Sequence, residues 1–461
     1  MARAVRKKEL TAEERLAAAL VPKEEQPYKV PGNWCWVRGE AIWEPMETKK
    51  PTGEVFRYVD IESIDNRQQV VTEPKLIEVK KAPSRASRAL HDGDTLFSMV
   101  RPYLKNIAFV DGAIAEAIAS TGFYVCTPKT NVNQKYNYYM MISPYVVDGL
   151  NTYMKGDNSP SIRGRDLEQF PYPIPPLPEQ QRIVTLIESL FADLDEAKEK
   201  LTAVVEGFAQ RKAAILHQAF TGELTAKWRE ENNAEEWVET TVGECSSLIT
   251  KGASPKWQGV EYTDDKSQTL FVTSENVREG YIDWSKEKYL DNAINEIQKR
   301  SVLTKGDVLV NIVGASIGRS AIFNRDCLAN TNQAVCLIRV KENLLNKFLC
   351  YYLNSPFALI YYGDNKVETA RANISLKNIN EMPMQLPSIA EQKQIVMEMD
   401  ALFEQEQQAQ SAVETVLADI DTLKKSILAR AFRGELSTND HKEENAVEML
   451  KKVLCDLGGE N

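Results

Sequence analysis

The sequence predicts an α+β protein: two mixed α/β domains separated by two long helices that form an intramolecular antiparallel coiled coil, a pseudo-two-fold tandem repeat. Three observations predict it: a motif set recurring at a fixed offset, a heptad seam in each copy, and β-rich runs confined to the blocks before those seams. Glu179-Gln180-Gln181-Arg182-Ile183-Val184 matches Glu391-Gln392-Lys393-Gln394-Ile395-Val396, an offset of 212 positions. At the same offset Leu190-Phe191 matches Leu402-Phe403, Ala219-Phe220 matches Ala431-Phe432, and Gly222-Glu223-Leu224 matches Gly434-Glu435-Leu436. Upstream, Ser143-Pro144 answers Ser355-Pro356, and Gly93-Asp94-Thr95-Leu96 answers Gly306-Asp307-Val308-Leu309 one position out of step. Little else aligns before that. The helical parts are therefore alike, whereas the blocks before them share a frame and differ in content, as two readers of different signals on one scaffold would.

The helices follow from periodicity. Apolar residues fall at Ile183, Ile187, Leu190, Leu194, Ala197, Leu201, Val204 and Phe208, steps of four and three, and the seam resumes at Ile215 after Arg211. In the second copy the seam is Ile395, Met399, Leu402, Ala409, Val413, Val416, Ile420, Leu423 and Ile427, interrupted at Glu406. Pro175, Pro176 and Pro178 precede the first stretch and Pro387 the second; Gly222 and Gly434 follow, so both carry start and stop signals. Two such seams in one chain can bury each other antiparallel. One allowed register places Arg211 opposite Glu406, the two charged residues within the seams, and their pairing would fix that register.

Around the helices, the blocks carry short β-rich runs: Val55 to Val59, Thr95 to Val100 and Val308 to Val313. One or two helices follow in each, around Tyr136 to Val147 and Asn346 to Tyr362. Outside the repeat, Thr11 to Leu20 and Ala446 to Leu457 also read as helical.

Composition narrows the function. At ~150 residues per domain, 461 residues divide into about three units. No apolar run approaches the ~18 residues of a membrane helix, and the basic opening lacks an apolar signal region, so a cytoplasmic chain without a membrane is expected. The seven cysteines lie far apart, no two form Cys-x-x-Cys, and the histidines are His91, His217 and His441. A reduced chain with no metal site and no cofactor follows. Nucleotide-binding glycine loops, the nucleophile elbow and His-Glu-x-x-His are missing, as is the Asn-Pro-Pro-aromatic motif that holds a flipped base. A net charge of −10 argues at first against nucleic acid. The acidic surplus, however, sits in the helical segments, while the two blocks are charge-balanced.

Those blocks interleave Arg, Lys, Asn, Gln and Ser on turn-rich segments. Arg and Lys suit guanine, Asn and Gln suit adenine, and hydroxyls or exposed amides suit phosphate. Candidate DNA contacts in the first block are Lys81, Ser84, Arg85, Arg88, Arg101, Tyr103, Lys105, Ser120, Thr121 and Arg163. In the second they are Ser274, Asn276, Arg278, Asn311, Ser316, Arg319, Asn332, Gln333, Arg371 and Asn373. Any one of them is more often a solvated surface residue than a reader. The matching pairs Tyr138-Tyr139 and Tyr351-Tyr352 are more often core than stacking platform.

At this point the chain resembles the specificity (S) subunits of type I restriction-modification systems. Pro175-Pro176-Leu177-Pro178-Glu179-Gln180 opening a long helix that ends in Ala219 to Leu224, and its second occurrence ending in Ala431 to Leu436, look like the family's two helical spacers. Ser84-Arg85-Ala86 with Gly93 to Ser98 and Arg101 to Asn106, and Gly306 to Leu309 with Gly314 to Arg319 and Asn332-Gln333, look like its target recognition cores. The resemblance implies target recognition domains at 31–178 and 238–390, spacer helices at 179–224 and 391–436, a linker at 225–237, an N-terminal helical segment at 1–30 and a C-terminal helical tail at 437–461. It implies that the two termini lie together, with the linker as their counterpart. It further implies a non-catalytic subunit that holds two methyltransferase subunits, and through them restriction/motor subunits, on double-stranded DNA. Unlike readers take unlike words, so the target would be asymmetric and bipartite, its halves about one turn (~34–36 Å) apart in the major groove. A methylation-only complex, a coiled-coil adaptor for proteins and a DNA-modifying enzyme are the rival readings.

Overall fold

A computed structural model describes residues 11–367 and 372–456. The chain forms two compact units: one takes the described residues through Lys200 and from Val416 onward, the other runs from Leu201 to Thr415. Both long helices are uninterrupted, Leu177–Thr221 and Ile389–Ala431, and both are divided between the units.

In the first unit the strands Lys75–Glu78, Val55–Val59, Ile118–Ser120 and Ala86–Arg88 form a sheet in that order. Its central pair is parallel, Tyr58 opposite Ile118. A three-stranded antiparallel sheet follows, Phe123–Cys126, Thr95–Ser98, Ile107–Phe109, with Phe97 opposite Tyr124 and Ile107. The second unit repeats the plan: Tyr262–Thr263, Tyr289–Leu290, Thr269–Val272, Ala329–Thr331, with Leu270 parallel to Ala329. Its other sheet is Ser246–Lys251, Val335–Val340, Val308–Asn311, Ser320–Ile322. The inner strands are buried on both faces, which is why Thr95–Ser98 and Val308–Asn311 read as continuous rather than alternating.

Each expected helical region resolves into two helices. Gln134–Ile142 and Pro144–Asn151 break at Ser143, whose hydroxyl caps the second; Asn346–Leu353 and Pro356–Asn365 break in the same way, with Ser355 as cap. Proline at N1 forbids continuation from the preceding turn. Tyr139 and Tyr352 are core, as expected; Tyr138 and Tyr351 are half-buried, with hydroxyls donating to the Gln69 carbonyl and to Asp400.

Within each unit the helix stretches pair antiparallel. In the first, Lys424 Nζ reaches Asp195 at 2.6 Å and lies 5.0 Å from the Phe191 ring centre, while Lys198 reaches Asp421 at 3.5 Å. In the second, Arg211 Nε donates to both Glu406 oxygens at 3.1 and 3.0 Å. The seam read from sequence needs four corrections. Val204, Ala409, Val416 and Leu423 are exposed; Val205, Leu417 and Lys424 turn inward beside the stretches where three of them were expected. Lys424 takes the inward place beside Leu423, its ammonium lying over the Phe191 ring and meeting Asp195.

The joint between each domain and its helix is built by one glutamine. Gln180 accepts from the Asn133 amide at 2.7 Å and donates to the Asn131 and Pro175 carbonyls; Gln392 accepts from the Leu345 amide at 2.8 Å and donates to the Asn343 and Pro387 carbonyls. The neighbouring glutamates are also buried. Glu179 accepts from Trp34 Nε1 (2.8 Å), Asn439 (2.8 Å) and Thr438 (3.3 Å); Glu391 accepts from Thr225 (2.9 Å) and Arg229. The linker thus does for one unit what the C-terminal tail does for the other. The tail's helix Ala446–Asp456 packs on Ala12–Ala19, which opens on a Thr11–Glu14 capping box, so the two terminal segments lie together. No described helix is long and apolar enough to cross a membrane.

Burial sorts the cysteines. Cys35, Cys126, Cys245, Cys336 and Cys350 are buried and unpaired, and burial pushes the Cys35, Cys336 and Cys350 thiols up to about 12; Cys327 is exposed. At pH 8 a maleimide should therefore label Cys327 roughly tenfold or more faster than these five, read by peptide mass spectrometry. Equal labelling in the folded chain would contradict the packing described.

Candidate nucleic-acid interface

In the first unit, Lys81, Ser84 and Arg85 are exposed on the segment leading into the Ala86–Arg88 strand. The Thr121 amide donates to the Arg85 carbonyl at 2.9 Å, so these two candidates share one edge. Arg88 is half-buried with its Nε lacking a partner. Ser120 is buried, its hydroxyl accepting from the Gly122 amide at 3.2 Å; it braces the turn and does not face outward. A second cluster forms where Val100 and Lys155 both pair with Ser161. There the Arg101 amide donates to the Pro160 carbonyl and the Ile162 amide to the Met99 carbonyl, which brings exposed Arg101 and exposed Arg163 alongside each other, with exposed Tyr103 on the same loop. Lys105 is half-buried; loss of hydration and the nearby Lys425 ammonium lower its pKa.

The second unit repeats this frame. Val313 and Val367 both pair with Asn373, and the Gly314 amide donates to the Ala372 carbonyl. Exposed Arg319 and half-buried Ser316 stand on that loop; Arg371 lies outside the described residues. Two candidates are withdrawn by burial. Asn311 is fully buried, its amide donating to Ser274 and Val277 carbonyls and to Ser316 Oγ. Asn276 is buried too, accepting from the Thr273 amide and hydroxyl and donating to the Asp283 and Lys286 carbonyls. Both brace the loops that carry Ser274 and Arg278, and Arg278 reaches Asp283 only at 3.5 Å. Asn332 and exposed Gln333 form the turn into Val335–Val340, Asn332 accepting from the Ala334 amide. Gly252 lies so close to this turn that a Cβ would sit 1.7 Å from the Thr331 carbonyl oxygen, so only glycine brings Lys251 there.

One residue escaped the sequence reading. Trp257 is 85% exposed, on a turn between exposed Lys256 and Gln258. A bare tryptophan beside a cation suits stacking on bases or insertion between them. Its neighbours carry that signal, but its exposure does not show in sequence.

Two similarly framed domains with unlike polar loops, each on paired helices, define a class: a two-part reader. A family model for the type I restriction modification DNA specificity domain matches residues 47–206 and again 235–415. The chain is 30% identical over 347 residues to the specificity subunit of the type I restriction enzyme EcoBI of Escherichia coli, covering 70% of this chain and 72% of that one. To the EcoKI specificity subunit of Escherichia coli K12 it is 26% identical over 318 residues, 65% and 67% of the two chains. Among solved structures it resembles the HsdS subunit from Thermoanaerobacter tengcongensis (TM-score 0.66, 26% identity, 89% of this chain and 100% of that one). A chain from a type I system described for its complex assembly and conformational transition gives a TM-score of 0.69 at 26% identity and the same coverage. The chain belongs to the family of type I restriction-modification DNA specificity subunits, and its role is that of specificity subunit rather than catalyst.

Asn276→Ala strands a buried amide and two carbonyls, so it should destabilise its unit by about 1–3 kcal/mol in urea unfolding. A loss of DNA selectivity at unchanged stability would instead make Asn276 a reader.

Proposed function

We propose that each α/β domain reads one half of an asymmetric, two-part duplex target in the major groove, and that the paired helices act as spacer and as docking surface for methyltransferase subunits. The observation that carries this is the repeated loop frame with unlike contents: Arg101, Tyr103 and Lys105 in one copy, Gly314, Ser316 and Arg319 in the other. Same scaffold and different side chains give different words. Two methyltransferase subunits, and through them restriction/motor subunits, are the expected partners; the name and description of the compared type I system support assembly of this kind.

The exposed acidic residues Asp193, Glu196, Glu199, Glu404, Glu414 and Asp419 are candidate docking groups on the helices; Asp195 and Asp421 are engaged by lysines of the facing helix. Arg211 and Glu406 hold the register. With side chains 42% and 28% exposed they add little stability, so their value lies in rejecting slipped pairings. A helix of 45 residues spans about 68 Å at ~1.5 Å per residue, ample to separate two readers by a helical turn. At a net charge of −10 the chain alone should bind DNA weakly, and strongly only once assembled.

Methylome sequencing of the host with and without this chain tests the reading. A two-part motif should appear only with the chain present, and Arg319→Ala should relax one half of it; relaxation of both halves would refute independent readers. Removing one heptad from each long helix should change the unread gap between the halves, and an unchanged gap would remove the spacer role.

A further inference from the structure

The loop frames of the two domains share most of their backbone hydrogen bonds, the exception being that the Lys105 amide donates to the Pro102 carbonyl whereas the Gly318 amide donates to the Asn311 carbonyl. The Leu104 amide donates to the Arg101 carbonyl as the Ile317 amide does to Gly314, and Arg101 and Gly314 each donate to the strand carrying Ser161 or Asn373. Yet the two left-handed positions are filled differently. In the second domain they are Gly314 (φ +81°) and Gly318 (φ +90°); in the first they are Arg101 (φ +48°) and Lys105 (φ +57°). Among the described residues five non-glycines have positive φ, and two of them are the cations of this one loop. Left-handed backbone costs a side chain with a Cβ, and arginine and lysine lack the short polar side chain that lets asparagine tolerate it. The second domain demonstrates that glycine closes the same loop.

Arg101 is exposed and donates from its guanidinium only to the Asn158 carbonyl, at 2.8 Å, and among the described residues neither Arg101 nor Lys105 is ion-paired. Lys105 instead feels a second ammonium, Lys425, opposed more weakly by the Asp148 carboxylate. Two cations in left-handed backbone thus share this loop, and one of them lies near Lys425. Exposed Tyr103 and Leu104 lie between the two, so the loop projects outward.

Resting on the DNA-reading function proposed above, we infer that Arg101 and Lys105 are held in left-handed backbone as a clamp for the phosphates of the first half-site, a task that the second domain leaves to other groups. Strain retained where glycine would relieve it marks a position kept for what the side chain binds. Phosphate is the partner that fits, because it satisfies clustered cations whatever the base beside it.

The test compares Arg101→Gly, Arg101→Ala and Arg101→Lys, and the same Gly and Ala changes at Lys105, in the chain assembled with its methyltransferase subunits. Binding to a duplex carrying the two-part target is followed across a salt series. Each Gly or Ala change should lower the slope of log affinity against log salt by about 1, and Arg101→Lys should keep it. Each Gly variant should also melt about 2–4 °C above its Ala counterpart, because only the Ala variant keeps the strain. Unchanged salt slopes overturn the clamp, and Gly variants no more stable than Ala overturn the strain. If the unaltered complex retains the target while the slopes do not move, this inference fails and the reading function stands; if the unaltered complex shows no target preference, both fail.

Discussion

A buried glutamine at the start of each long helix is the constraint on which the rest depends. The first turn of a helix leaves amides without partners, and the loop that delivers the chain to it brings more backbone polar groups into the same dry place. Gln180 and Gln392 resolve this with three bonds apiece, each tying the preceding domain's loop to the helix it leads into. The domain is thereby oriented on its helix by bonds that have direction, which apolar packing alone would not supply. Glu179 and Glu391 extend the joint to the tail and to the linker.

Around that joint the two units use the same packing with exchanged parts. Phe432, at the end of the second helix, meets Tyr136 at 5.3 Å between ring centres; Phe220, at the end of the first, meets Phe348 at 5.2 Å. Each domain therefore rests on the beginning of one helix and the end of the other. Gly434 and Gly222 follow those helix ends in left-handed conformation, the first pressed against Pro31 and Trp34, the second against Trp237. Gly434, which reads as a simple helix stop, also leaves room for Pro31, to which a Cβ would come within 2.5 Å.

The loops proposed to read DNA are framed by backbone bonds and leave several of their side chains exposed. Loop frames are fixed by backbone bonds that recur between copies, and the side chains projecting from them are free to differ. This division lets one scaffold hold unlike contents. It also explains why polar residues of the right type divide into two groups: Arg85, Arg101 and Arg319 face outward, whereas Asn276, Asn311 and Ser120 are consumed in holding the loops.

The sequence by itself determined the repeat, the two long helices, the blocks before them and the family, because recurrence at a fixed offset and a seam of fixed period are properties of order along a line. It also allowed a register that sets Arg211 opposite Glu406, and the structure adopts that pairing. Tertiary structure alone decided which seam positions turn inward. Lys424 took the inward place beside Leu423, its ammonium over a facing ring and against a facing carboxylate. It likewise decided which polar residues are spent inside and where glycine's place is taken by a strained cation, because burial and backbone angle depend on neighbours distant in the chain.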